Sequence, residues 1–364
     1  MKIVYHSFEG RYSDNPRVIY EALLARRAAH EHVWLADPAH LAGFPAGAAT
    51  VEYGSRECIR ELESADLIVA NTHTDLVWTK RADAVYLQTW HGTPLKRIHF
   101  DVLWAPEGRL DRLSGDVAQW DVLLSPNHAS SKRLCGAFGY TGEVLESGYP
   151  RNDVLTGPDA GAIRERLRGE LGIDPDTIAV LYTPTWRDDV VFAEGGREFA
   201  FELDVSAFTE RLGHDHVLLL RLHYMLTGRF EAGEHPAVRD VSFHPDVSEL
   251  YLAADVLVTD YSSTMFDFAV TGKPLLFYTY DLEDYENRLR GLYLDLPSVA
   301  PGPLMGTTNE LLDALTDLPG VTVDYAARYE HFRRTFCHLE DGHATERVLD
   351  RALRTPAPRP AAEH

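Results

Sequence analysis

Cysteine is scarce in this chain. The three present, Cys58, Cys135 and Cys337, form no CxxC pair. A disulfide scaffold or a structural zinc site needs paired cysteines, so the expectation is three thiols in a reducing cytoplasm. Long apolar runs are missing as well. None reaches the roughly 18 residues of a membrane span, and the opening MKIVYHSFEG turns polar too early for a signal peptide. Positive charge is in short supply: 35 Lys and Arg against 56 Asp and Glu give a net charge of −21. That balance disfavours nucleic acid as a partner and opposes attraction to anionic lipid. No Walker loop, GxGxxG, HExxH, nucleophile elbow or metal-like carboxylate cluster occurs. No metal or cofactor is therefore expected, and any bound phosphate would be neutralised by Arg, Lys, His and helix N-termini.

What is present is an alternation of apolar strands and helical patterns over 364 residues, a length that suits two domains. Strands are expected at 2–8, 32–36, 66–71, 85–90, 120–126 and 143–148. A proline- and glycine-rich break follows at 149–161. The alternation then restarts, with strands at 178–184, 216–223, 255–260 and 274–279. Asn15-Pro16 reads as a helix cap followed by proline at the first helical position, and Ser55 as the cap of another helix. Continuous apolar strands between helices indicate parallel sheets covered on both faces. The expected fold class is thus α/β, two Rossmann-like domains facing one cleft. The boundaries are 1–155, 156–324, C-terminal helices over 325–354 that pack back across the domains, and a tail over 355–364.

Ligands of open parallel sheets bind at the carboxyl ends of the strands, so the residues there carry the functional reading. The strand at 85–90 runs into WHGTPLKR, with His91, Gly92, Thr93, Lys96 and Arg97. A histidine at that place can take a proton from an attacking hydroxyl. Gly92 allows close approach, and the two cations are expected to depress the pKa of His91. The strand at 143–148 leads to Arg151 and Asn152, and that at 178–184 to Thr185, Trp186 and Arg187. Arg221 and His223 stand two apart, so they face one way on an extended backbone and would repel unless an anion lies between them. In TDYSSTMFD, Ser262 and Ser263 open a helix whose exposed amides favour phosphate. Thr264 and Asp267 have capping-box spacing, and Asp267 could instead hold ribose hydroxyls. Cations and hydroxyls gathered at strand ends of an acidic chain point to a polyanionic ligand, with pyrophosphate the first candidate.

WHGTPLKR (90–97), GYPRND (148–153), TPTWRDD (183–189), RLH (221–223) and TDYSSTMFDFAVTGKPLLFY (259–278) together resemble the CDP-glycerol glycerophosphotransferase family of teichoic acid primases, polymerases and related capsule polymerases. SFEGRYSDNPRVIYEALL (7–24) and LEDGHATERVLDRAL (339–353) look similar to it too, so the resemblance spans almost the whole chain in order. It implies a GT-B fold, no cofactor, and transfer of glycerol phosphate, or ribitol phosphate in relatives, from a CDP-alditol to a hydroxyl with release of CMP. It implies His91 as general base and His223 as a second catalytic residue. Arg221, His223, Ser262, Ser263 and Thr264 would lie at the donor phosphates, with Thr185, Trp186 and Arg187 on the CDP moiety and Asp267 at the ribose. Gly92, Thr93, Lys96, Arg151 and Asn152 would support the site or the acceptor. The expected partners are CDP-glycerol or CDP-ribitol and a lipid-linked or glycan polyol-phosphate acceptor. The expected location is cytoplasmic, with peripheral contact at the inner membrane face, for which the 101–119 loop with Trp104 is a candidate. A nucleotide-sugar glycosyltransferase and a non-catalytic polyanion-binding protein stand as the alternatives.

Overall fold

Both faces of the central strands are covered by apolar side chains, which is why those strands read as continuous apolar runs. The computed structural model describes residues 1–102, 110–185, 202–222, 235–285 and 291–353. In its first half, Val4, Ile68, Tyr86 and Leu123 point into one buried cluster, and Ile3, Leu67, Val69 and Leu124 into another on the opposite face. The second half repeats the arrangement, with Leu181 and Leu257 on one face and Val180, Val256 and Val258 on the other.

The strands of the first sheet are β1 (Lys2–His6), β2 (Glu31–Ala36), β3 (Thr50–Glu52), β4 (Leu67–Ala70), β5 (Val85–Gln88), β6 (Val122–Ser125) and β7 (Glu143–Glu146). They are all parallel, in the order β3-β2-β1-β4-β5-β6-β7. The second sheet has β8 (Ile178–Thr183), β9 (His216–Leu220), β10 (Val238–Asp240), β11 (Val256–Thr259), β12 (Leu275–Tyr278) and β13 (Leu304–Met305). It is parallel too, in the order β10-β9-β8-β11-β12-β13. The strand order reverses at β1/β4 in one sheet and at β8/β11 in the other. Crevices open at such switch points. The strands not anticipated, β3, β10 and β13, are short and lie at sheet edges.

Seven helices matter below: α1 (Asp14–Ala25), α2 (Arg56–Ser64), α3 (His128–Phe138), α4 (Val247–Ala253), α5 (Thr264–Ala269), α6 (Leu318–Phe336) and α7 (Ala344–Ala352). Ser55 caps α2 as expected, accepting the Cys58 N–H at 3.0 Å. The expectation for α1 is corrected. The helix begins at Asp14 with Ser13 before it, and Asn15 is not its cap. The Asn15 side chain is buried and turned toward residues far away in sequence.

The end of the chain returns across both halves. Phe332 and Phe336 of α6 pack on Phe266 in the second core, with ring centroids 5.2 and 5.0 Å away. Val348, Leu349 and Ala352 of α7 join the first core beside Ile3 and Trp34. Polar contacts secure the crossing. The Asp153 carboxylate accepts the Ala344 and Thr345 N–H groups at 2.9 and 2.8 Å, and Asn127 donates to the Phe336 carbonyl at 2.8 Å.

Candidate active site

The two switch points supply the parts of one site. At the first, β4 ends at Ala70 and β5 at Gln88, which brings Asn71 and His91 together. His91 Nδ1 lies 2.6 Å from the Asn71 carbonyl oxygen. A carbonyl can only accept, so Nδ1 carries the proton and Nε2 keeps the lone pair. The ring rests against Trp90 and Phe8, with centroids at 3.9 and 5.0 Å. Burial pushes the His91 pKa down to about 4, while Asn71 and Asp14 oppose the shift and Arg151 and His73 add to it. A neutral imidazole with a fixed tautomer is what a general base requires. The expected influence of Lys96 and Arg97 is corrected here: burial dominates, and the contributing cation is Arg151.

Trp90 has φ +52, a left-handed conformation that costs a bulky residue roughly 1–3 kcal/mol. Polar contacts hold it there. Its N–H donates to Gln88 Oε1 at 2.9 Å, and its carbonyl accepts from Asn15 Nδ2 and the Thr89 hydroxyl, both at 3.1 Å. Arg151 then donates to the His91 carbonyl at 2.8 Å. Thr93 is buried beside this turn.

The rest of the motif serves packing between the domains. Leu95 is 1% exposed and belongs to the second domain's core cluster. Lys96 pairs through its main chain with Leu292, Arg97 N–H donates to the Gly291 carbonyl at 3.2 Å, and Tyr293 N–H to the Leu95 carbonyl at 2.8 Å. The exposed Arg97 guanidinium lies 5.9 Å from the Tyr293 ring centre. The loop that delivers the histidine is thus plugged into the other half of the molecule.

At the second switch point, Asp260 accepts the Thr185 N–H through both oxygens, at 2.9 and 3.0 Å, and the Tyr261 N–H at 2.6 Å. This places Thr185 beside the start of α5. Ser262 and Ser263 are half-buried there. A Cβ on Gly92 would come within 3.0 Å of Ser263 Oγ, so the base loop and the serine turn touch. The hydroxyl of Thr264 faces those of Thr183 and Thr259, at 3.1 and 3.3 Å, so it braces β8 against β11.

One further expectation changes. Asp267 forms no capping box. Its carboxylate takes the Arg151 guanidinium at 2.8 Å and the Asn152 amide at 2.9 Å. Arg221 donates to the Val241 and His244 carbonyls at 3.2 and 2.8 Å, and so braces the loop after β10. Trp186, Arg187, His223 and Trp104 lie outside the described residues. Asn71, Asp14, Asn15 and Asp260 were not anticipated. Asn71 acts through its carbonyl, which carries no residue-specific signal, and the other three sat in stretches that read as ordinary caps and strand ends. Among the described residues no His, Cys, Asp and Glu cluster is placed to hold a metal ion, and no helix is long and apolar enough to cross a membrane.

The family described as CDP-Glycerol:Poly(glycerophosphate) glycerophosphotransferase matches residues 1–354. The chain is 37% identical to the teichoic acid glycerol-phosphate transferase of Staphylococcus aureus, over 95% of this chain and 91% of that protein. It is 34% identical to the teichoic acid poly(glycerol phosphate) polymerase of Bacillus subtilis, over 96% of this chain but only 48% of that longer protein. A solved structure of the wall teichoic acid polymerase TagF superposes with a TM-score of 0.88 at 34% identity, covering 96% of this chain and 88% of that one. The two facing parallel-sheet domains are a GT-B fold.

Proposed function

The chain belongs to the CDP-glycerol:poly(glycerophosphate) glycerophosphotransferase family, and from that membership we propose that it transfers glycerol phosphate from CDP-glycerol to a hydroxyl of a teichoic-acid-like or capsular acceptor, releasing CMP. The observation that carries the mechanism is His91, neutral, with Nδ1 on the Asn71 carbonyl and one residue from the Gly92–Ser263 contact.

The acceptor oxygen attacks the glycerol-bearing phosphorus of the donor. Its proton passes to His91 Nε2, the new P–O bond forms, and the P–O bond to the CMP phosphate breaks. Phosphoryl transfer of this kind is accelerated by positioning and by charge stabilisation. In this reading Ser262, Ser263 and Thr185 line the donor phosphates and nucleotide, and the first domain receives the acceptor. Trp186, Arg187 and His223 enter the proposal only through their motifs. Arg151, Asn152, Asp267 and Arg221 support the site from behind. A lipid-linked acceptor would bring the protein into peripheral contact with the inner membrane face, which flotation with acceptor-bearing vesicles would detect.

The test is CMP release from CDP-glycerol and CDP-ribitol, offered separately with a glycerol-phosphate primer. The expected result is primer-dependent CMP from CDP-glycerol, falling by about 10²- to 10⁴-fold in His91→Ala while donor affinity is kept. An equal loss of donor affinity in that variant would overturn the assignment of His91 as base. CMP from CDP-ribitol alone would reassign the donor. The length of the product separates single addition from polymerisation.

A further inference from the structure

Arg151 is 8% exposed, yet three groups from three parts of the chain converge on its guanidinium. Nη1 donates to Asp14 of α1 at 2.6 Å and to the His91 carbonyl at 2.8 Å, and Nη2 donates to Asp267 of α5 at 2.8 Å. Its own N–H donates to Asn15 Oδ1 at 3.1 Å, and its carbonyl accepts from the Ser248 hydroxyl of α4 at 3.2 Å. The Tyr149 ring centre lies 4.8 Å from the guanidinium carbon. Asp14 and Asp267 are nearly as buried as the arginine, with side chains 10% and 9% exposed. Only a planar fork with several fixed N–H directions reaches three acceptors at once. A lysine ammonium carries the charge without that geometry.

The partners define what the arginine controls. The His91 carbonyl fixes the base loop. Asp267 fixes α5, directly after Ser262 and Ser263. Asp14 fixes the helix whose next residue, Asn15, holds the Trp90 carbonyl. We propose that Arg151 is a positioning residue of the transfer step, one guanidinium that keeps the height of His91 in register with the serine turn across the domain boundary. It acts through main chain and through α5, without touching either substrate. The inference rests on the reading of His91 as the base. A misplacement of about 1 Å at a reacting group costs on the order of 10²-fold in rate, so the register is a kinetic quantity.

The experiment uses the full chain with CDP-glycerol and a glycerol-phosphate primer. Arg151→Lys keeps the charge and loses the fork. The expected result is a fall in kcat of about 10- to 100-fold, with the donor KM within about 3-fold and a retained cooperative thermal transition. In the His91→Ala background the same substitution should lower the residual rate no further, because there is no base left to misplace. A fall in stability alone would not give that epistasis. If Arg151→Lys fails to fold, Asp267→Asn keeps the carbonyl acceptor, weakens the tie to α5, and should show the same kcat loss at constant KM. A kcat unchanged in the folded variants overturns the proposal. So does a rise in donor KM at constant kcat, which would make Arg151 a donor ligand, and so does multiplicative loss in the double variant. A wild-type chain that releases no CMP would sink the functional reading and this inference together. An active wild type with an unaffected Arg151→Lys sinks this inference alone.

Discussion

The two rims of the cleft are built differently. On the first domain's rim, the chain bends through left-handed conformations at Phe8, Asp14, Trp90 and His99, four of the five non-glycine residues with positive φ among those described. The rim of the second domain, at 183–185 and 260–264, has none. There the hydroxyls of Thr183, Thr259 and Thr264 brace one another, and Asp260 holds the Thr185 main chain. Strained backbone persists only where its surroundings over-determine it, and around Trp90 and His91 they do, through Gln88, Asn15, Asn71 and Arg151. In the proposed reaction this contrast would divide the labour: the side of the base is set by the protein in advance, whereas the side of the phosphates presents the hydroxyls of Ser262 and Ser263 to a ligand.

The sharpest way to break this contrast is to unplug the strained loop. Leu95→Ala removes a side chain buried in the opposite core. It should destabilise the protein by about 2–5 kcal/mol, read by denaturant unfolding. A loss below about 1 kcal/mol would mean that the loop is held by its polar contacts alone. Next comes the contact between the rims. Gly92→Ala places a methyl 3.0 Å from Ser263 Oγ. The fold should survive, and kcat/KM for the donor should fall about 10-fold for displacement of the reacting groups. A wild-type kcat/KM would show that the rims do not act as one site.

The pH response tests the advance setting of the base. In the proposed reaction His91 acts as the neutral imidazole, and burial pushes its pKa down to about 4. The rate should therefore hold as pH falls through the ordinary histidine range and decline only near pH 4, in a kcat/KM profile. An acid limb near 6.5 would place an exposed, ordinary histidine at the reaction. Stability follows the same sign. His6 and His91 both titrate near 4 when folded, against 6.5 in an unfolded chain. The unfolded state binds those protons first, so the contribution is complete above pH 6.5 and is lost as pH drops toward 4. The smallest effect is expected from Arg97→Ala. Its main-chain bond to Gly291 remains, and the lost cation–π contact with Tyr293 should lower stability by about 0.5–1 kcal/mol with no change in kcat.

How much of this could be read beforehand differs by element. The central strands were legible because burial on both faces leaves an apolar run with turn residues at its ends. The edge strands β3, β10 and β13 have three, three and two residues, too few to show any period. In the site, His91, Thr185, Ser262 and Ser263 were visible as polar residues just after apolar strands. The capping spacing of Asn15 and Asp267 misled for one reason. Each sits at capping spacing, and each is claimed by a partner more than 70 residues away. Local rules weigh an Asx side chain against its neighbouring amides, whereas the Arg151 N–H and Trp90 carbonyl that Asn15 meets, and the guanidinium that Asp267 meets, come near only once the fold has formed. Lys96 and Arg97 of the base loop make main-chain contacts with the second domain that no residue type signals in advance.

The return of α7 to the first core reaches beyond the finished molecule. Val348, Leu349 and Ala352 lie against Ile3 and Trp34, so the interior of the first domain lacks these side chains until α7 has been synthesised. Domains of nascent proteins generally fold as they emerge. Here the first domain cannot close its core until the second domain and α7 have followed it out. Until then one apolar face of the first domain stays uncovered.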